Sequence, residues 1–362
     1  MLDSPPMPAG EDLPRATPPN GGPEDPVADG GGATEGAGAE ATTAWIRAWI
    51  GPAGAVAAST VALVVIAGTA AVHLTGSEFP MWASSPRYLW IMTRFFVAVL
   101  VLRSIVTRRL PRWPQLVDMA GVLLLMTALV AGYTTLKVHV PLINEARWDA
   151  AMAALDRALC LGIDPNVFLV TILSQGPRWL GPAIDQYYYS FVTLFVVFAA
   201  WYLADPSPRN RSSFAAGWIV LWGAGALLYV AFPVLGPVFF TRSLWQEVAG
   251  VFPFAAALQA ALLKNYLAVV SGQTRHIVQE YGIAAMPSLH VATHAYLWLW
   301  ARRIGSRWAP LFLAMTLATW FCSVATGWHY MVDGLVGLLV AWAAARLALG
   351  LREKGPSAHD VP

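Results

Sequence analysis

Eight stretches of the chain are runs of apolar positions long enough, or nearly so, to cross a membrane as helices: 54–74, 88–104, 116–136, 184–203, 214–235, 287–300, 309–325 and 330–349. Roughly 20 apolar helical residues span the hydrocarbon core, and the second and sixth runs are the short ones. Polar positions gather between the runs rather than alternating within them. That pattern predicts an all-α integral membrane protein with about eight transmembrane helices. Between the third and fourth runs, Trp148-Asp-Ala-Ala-Met-Ala-Ala-Leu-Asp156 has the spacing of an amphipathic helix lying on the membrane surface. A second mixed segment occupies 236–285. Residues 1–43 are rich in Gly, Pro and Ala and nearly devoid of large apolar side chains. They cannot bury enough surface to offset their ordering entropy and are expected to be disordered.

Charge orients this arrangement. Basic clusters stand at Arg103-Ser-Ile-Val-Thr-Arg-Arg, at Arg209-Asn-Arg211, at Arg302-Arg303 with Arg307, and at Arg346, Arg352 and Lys354. They follow the second, fourth, sixth and eighth runs. Eight spans with a cytoplasmic N-terminus put all four clusters inside, as the positive-inside bias requires. The long connections 137–183 and 236–285 then lie outside. The resulting plan is a cytoplasmic tail (1–43), two accessory helices (44–115), a catalytic membrane domain (116–350) and a short cytoplasmic tail (351–362), with the protein in the plasma membrane.

Composition agrees: 57% of residues are hydrophobic and 12% charged, where a soluble domain carries about 25% charged residues. The net charge of +2 points to no nucleic-acid partner. The two cysteines, Cys160 and Cys322, form neither a disulfide framework nor a metal-ligand spacing. No fixed-period repeat and no Gly-rich nucleotide loop is present.

Ionisable groups in or beside spanning segments are costly, so each is a functional candidate. One lies in Ala284-Ala-Met-Pro-Ser-Leu-His290-Val-Ala. Pro287 suits the first turn of a helix, which places Ser288 and His290 where free backbone N–H groups favour an anion. His290 is then set to act as a general acid toward a leaving oxygen. Another lies in Thr326-Gly-Trp-His329-Tyr-Met-Val-Asp333-Gly. Four residues apart on a helix, His329 and Asp333 share a face. The carboxylate can accept the Nδ1–H of the imidazole and leave the other nitrogen bare as a nucleophile. The topology brings both histidines to one membrane face. His73 and His139 are expected at interfaces, His359 in a tail, and His294 in packing or in support of His290.

The segments 284–292 and 329–334 resemble the second and third motifs of the type 2 phosphatidic acid phosphatase superfamily. Pro-Ser-Leu-His in place of Pro-Ser-Gly-His is similar to the branch of the fungal inositol phosphorylceramide synthases and their bacterial relatives. Leu155-Asp-Arg-Ala-Leu-Cys-Leu-Gly-Ile-Asp-Pro165 resembles a segment upstream in that branch. The resemblance implies a six-helix core with its site at the outer surface. It also implies His329 as the phosphoryl-accepting nucleophile, Asp333 orienting it and His290 protonating the leaving group, with no metal and no cofactor. The family's first motif, Lys, six residues, then Arg-Pro, is missing, and Ser323 stands where the third motif carries an arginine. A phosphate still needs cations. Arg242, Lys264 and Arg275 are the candidates for substrate binding, together with Ser288.

The function expected is a membrane phosphotransferase that acts on a phospholipid or lipid phosphate and moves a phospho-headgroup at the outer face. A lipid phosphate phosphatase with water as acceptor is the alternative. A metal enzyme using His290-x3-His294 and His329-x3-Asp333, or a transporter without catalysis, ranks below both.

Overall fold

The computed structural model describes residues 51–77, 79–273 and 278–354. The expected disordered tail, His359, Arg275 and most of the C-terminal tail lie outside the described residues. The first three helices are α1 (Pro52–Leu74), α2 (Ser85–Thr107) and α3 (Trp113–Ile143). They are followed by α4 (Asp149–Leu159), α5 (Pro165–Ser174), α6 (Leu180–Tyr189), α7 (Phe191–Leu203) and α8 (Pro208–Ala231). Three shorter pieces come next, α9 (Pro237–Phe240), α10 (Arg242–Val251) and α11 (Pro253–Val270). The chain closes with α12 (Leu289–Arg303), α13 (Ala309–Ala325) and α14 (Met331–Lys354). Proline opens several of these helices (Pro52, Pro165, Pro208, Pro253). Its missing N–H costs nothing at that position.

Six described helices are long and apolar enough to cross a membrane: α1, α2, α3, α8, α11 and α14. The protein is thus a multi-pass membrane protein. A seventh follows if α6 and α7, bent by 43°, count as one span. α12 and α13, with 15 and 17 residues, are shorter. α11 was not expected, because Gln259, Lys264 and Asn265 interrupt its apolar positions. The structure ties it down at three points. The amides of Phe254 and Ala255 donate to the Asp185 carboxylate of α6 (2.7 and 3.0 Å), Gln259 donates to the Thr326 carbonyl (2.9 Å), and Asn265 bonds Val278 and Tyr281.

α12 forms the centre, with Val291 through Leu297 all buried against α8, α13 and α14. Without a hydrophobic drive between helices in lipid, close approach comes from small residues. A Cβ on Gly337 of α14 would lie 2.5 Å from the Ser288 carbonyl oxygen. That glycine therefore sets how near α14 comes to the start of α12. Gly337→Ala should lower stability by about 1–3 kcal/mol and reduce turnover, measured by thermal unfolding in detergent and an activity assay. Gly350→Ala on the same helix, where a Cβ meets nothing within 4 Å, should leave both unchanged or slightly raise stability.

The basic clusters knit together one end of the bundle. Arg103 donates to the Trp201 carbonyl (2.9 Å), Arg209 to the carbonyls of Arg352 and Glu353, and Arg352 to Asn210 (2.8 Å). Arg211 is not a solvated loop charge. It is buried in α8, paired with Asp118 of α3 and bonded to the carbonyls of Asp205 and Pro206. α12 runs from His290 to Arg303 and α14 from Asp333 to Arg352, so this basic end lies opposite the histidines.

Candidate active site

Three irregular segments meet at the other end: 232–236 after α8, 283–288 before α12, and 326–330 before α14. The Ala285 amide donates to the Val234 carbonyl (2.8 Å) and the Val238 amide to the Gly327 carbonyl (3.1 Å). Gly327, at φ +74°, adopts the left-handed turn that ends the approach from α13.

Ser288 is the N-cap of α12 and its hydroxyl accepts the Val291 N–H (3.4 Å). Pro287 precedes that cap instead of lying in the first turn. His290 is the second residue of the helix, and its ring packs 4.3 Å from Phe191 and 5.0 Å from Tyr188. The residue as a whole is half-buried.

His329 and Asp333 do meet, with Nδ1 to Oδ2 at 3.4 Å, but not on a shared helical face. α14 begins at Met331, so His329 lies in the turn before it. Asp333 is the third helical residue, and its Oδ2 reaches back to accept the Tyr330 N–H (2.9 Å). This is half of a capping box. It fixes the carboxylate beneath the imidazole by helix capping rather than by side-chain stacking. The Ser288 N–H donates to the Asp333 carbonyl (3.0 Å), which binds the two motifs through their backbones.

The histidines face each other directly, His290 Nδ1 to His329 Nε2 at 3.1 Å. With the His329 Nδ1–H turned to Asp333, Nε2 is the acceptor and His290 supplies the proton. In that protonation pattern, a bare nitrogen, a proton opposite it and a carboxylate behind it are an arrangement that can serve as nucleophile, acid and orienting group. His294 points elsewhere, its Nδ1 3.1 Å from the Thr319 hydroxyl. Among the described residues no three His, Cys, Asp or Glu side chains are grouped to hold a metal ion.

Three further side chains hold the site, and sequence reasoning assigned them no such part. α4 is amphipathic, but its polar face turns inward. Asp149 accepts the amides of Leu235 and Gly236 (2.9–3.1 Å) and the Tyr330 hydroxyl (3.2 Å). Asp156, two turns on, accepts the amides of Met331 and Val332 (2.6 and 2.8 Å), the exposed donors of the first turn of α14. Asn166 of α5 donates to the carbonyls of Val324 and His329 (2.7 and 3.0 Å). The seven-residue spacing of the two aspartates was the available signal. Burial pushes the Asp156 carboxyl up to about 6, with Asp333 and Asp164 adding to the rise and the two amides opposing it. Burial likewise raises Asp149.

Arg242 and Lys264 are exposed on α10 and α11, and neither bonds the trio among the described residues. A family model described as the PAP2 superfamily matches residues 150–347, more than half of the chain. No curated protein matches it, and no solved structure does.

Proposed function

The chain belongs to the PAP2 superfamily, whose members are membrane phosphatases and phosphotransferases acting on lipid phosphates, and within it we propose a phosphotransferase that moves a phospho-headgroup between lipids through His329. The observation carrying this is the 3.1 Å approach of His290 Nδ1 to His329 Nε2 with Asp333 behind it. His329 Nε2 attacks phosphorus, the bond to the lipid oxygen breaks, and that oxygen takes the proton from His290 Nδ1. Asp333 balances the positive charge left on the His329 ring. His290, now bare, draws the proton from an incoming hydroxyl whose oxygen attacks phosphorus and frees His329. From a phosphodiester donor, the group carried on His329 keeps its headgroup. The Pro-Ser-Leu-His form of the second motif supports the inositolphosphotransferase-like branch.

The site opens on the non-cytoplasmic side of the plasma membrane in this reading. The basic clusters occupy the opposite end of the bundle, as a cytoplasmic end should. α12 and α13 run between the two ends despite their length and count as spans. The chain leaves α8 and enters α12 at the same place, where Ala285 bonds Val234, so α11 cannot be a lone crossing. Eight crossings result: α1, α2, α3, the bent α6–α7 pair, α8, α12, α13 and α14. With this reading we keep two accessory helices up to 115 and a catalytic membrane domain up to 350, the boundary at 43 lying outside the described residues.

The test is purified protein in mixed micelles with a phospholipid, with and without inositol or another polyol, in the presence of a chelator. A new headgroup-transfer product is the expected result. Phosphate release with no transfer product would make water the acceptor. An untouched lipid pool would defeat the proposal.

A further inference from the structure

Two histidines and a carboxylate give a phosphoryl group a nucleophile and an acid but no cation. Charged oxygens in a poorly screened site require one. Arg242 and Lys264 are exposed and bond none of the trio, Arg275 lies outside the described residues, and α3 carries a further candidate.

Lys137 lies in the last two turns of α3 and is half-buried. Its Nζ is 5.3 Å from the ring centroid of Tyr229 and 6.0 Å from that of Tyr133. Its stem packs on Gly282, where a Cβ would come within 2.9 Å of the Lys137 Cγ. The lysine is therefore seated on the segment that leads to Ser288 and His290. Among the described residues, no carboxylate or carbonyl pairs with its ammonium. The lysine is only partly withdrawn from water, with the aromatic faces supplying part of the compensation.

A second group beside His290 is in the same condition. The Tyr188 ring stacks on His290, and its hydroxyl is buried without a hydrogen-bond partner. Lys137, seated on Tyr229 and against Gly282, holds the start of the segment that leads to this histidine. A cation lacking an anion thus lies against the segment that leads to His290, and a donor lacking an acceptor lies against the His290 ring. One multidentate anion would satisfy both.

Resting on the phosphoryl-transfer reading above, we infer that Lys137 is the cation that binds the phosphate oxygens of the substrate, with the Tyr188 hydroxyl donating beside it. Lys137 precedes the family-matched residues 150–347. The site is therefore completed by a helix outside that match, which replaces the arginines missing from the motifs.

The test uses the full chain in detergent, as wild type, Lys137→Met and Lys137→Arg. With phosphatidylinositol or phosphatidic acid micelles, Lys137→Met should lower kcat/KM by about 100-fold, with thermal unfolding unchanged. Lys137→Arg should recover part of the loss. In wild type, inorganic phosphate should slow reductive methylation of Lys137, read by peptide mass spectrometry, and this requires no variant to fold. A folded Lys137→Met that phosphorylates His329 at the wild-type rate would overturn the inference, as would methylation indifferent to phosphate. If wild type never phosphorylates His329, the functional reading fails, and phosphate protection still decides the role of the lysine.

Discussion

Replacing His329 with alanine should abolish acid-labile phosphate on the protein and lower phospholipid turnover by about four to six orders of magnitude. The imidazole holds the only bare nitrogen aimed at His290 in the described site. Neither Asp333 nor a water molecule can replace it at that position. Because His329 is nearly buried, the cavity left behind has no new polar partner to offer. Asp333→Asn is a milder lesion of the same device. The same oxygen, Oδ2, meets both the Tyr330 N–H and the His329 Nδ1. The amide therefore either turns its NH2 there, losing the cap and favouring the wrong tautomer, or keeps an oxygen there without the negative charge, with an expected loss of about 10²–10⁴-fold. His290→Ala should be rescued in part by substrates with good leaving groups, since its proton is then no longer needed. Labelling with a 32P-phospholipid followed by acid and base quench reads all three variants. Full labelling of His329→Ala would refute the assignment.

The second large effect belongs to Asp156, which does not touch the reacting atoms. Its carboxylate accepts the amides of Met331 and Val332, immediately after His329 and Tyr330. Asp156→Ala leaves two part-buried donors without an acceptor, at about 1–3 kcal/mol each. Thermal unfolding should register a loss of about 2–5 kcal/mol. Turnover should fall as well, because the start of α14 is what holds Asp333 beneath His329. Asp156→Asn should be intermediate, keeping one accepting oxygen and turning an NH2 toward the other amide. The pH dependence has a definite sign. The folded carboxyl titrates near 6, above its value of about 3.9 in an unfolded chain, so the folded state takes up the proton first. The contribution of Asp156 to stability therefore rises as pH falls from 7 through 6 toward 4 and is level below that. The stability difference between wild type and Asp156→Asn should widen as pH falls from 7.5 to 4.5, because only the wild type gains the proton. Parallel curves would show that Asp156 is not the group responsible.

Lys137 and Asp156 share a feature that bears on how the site evolves. Both serve the two motifs from helices that carry neither motif. One supplies charge from α3 and the other fixes backbone from α4. In the proposed reading, changes in those helices would tune substrate binding without altering His290 and His329.

Much of this was legible in the sequence because it depends on local properties. The length and continuity of apolar runs determined most of the helices and where the chain turns, since a backbone in lipid must satisfy its own hydrogen bonds. The costly residues His290, His329 and Asp333 stood out for the same reason, and their resemblance to known motifs gave them chemical roles. Tertiary structure alone decided how those residues are held. His329 lies outside α14, because Gly327 turns the chain and Asp333 caps the helix behind it. α4 turns its aspartates onto protein amides instead of water, which its amphipathic spacing could not distinguish. α11 is a helix pinned at three points, where its interrupted pattern suggested only a loop. The cation is Lys137, 153 residues from His290 in the chain, in the reading proposed above. Such pairings arise when helices remote in sequence pack together, and no local pattern of polar and apolar positions records which of them will meet.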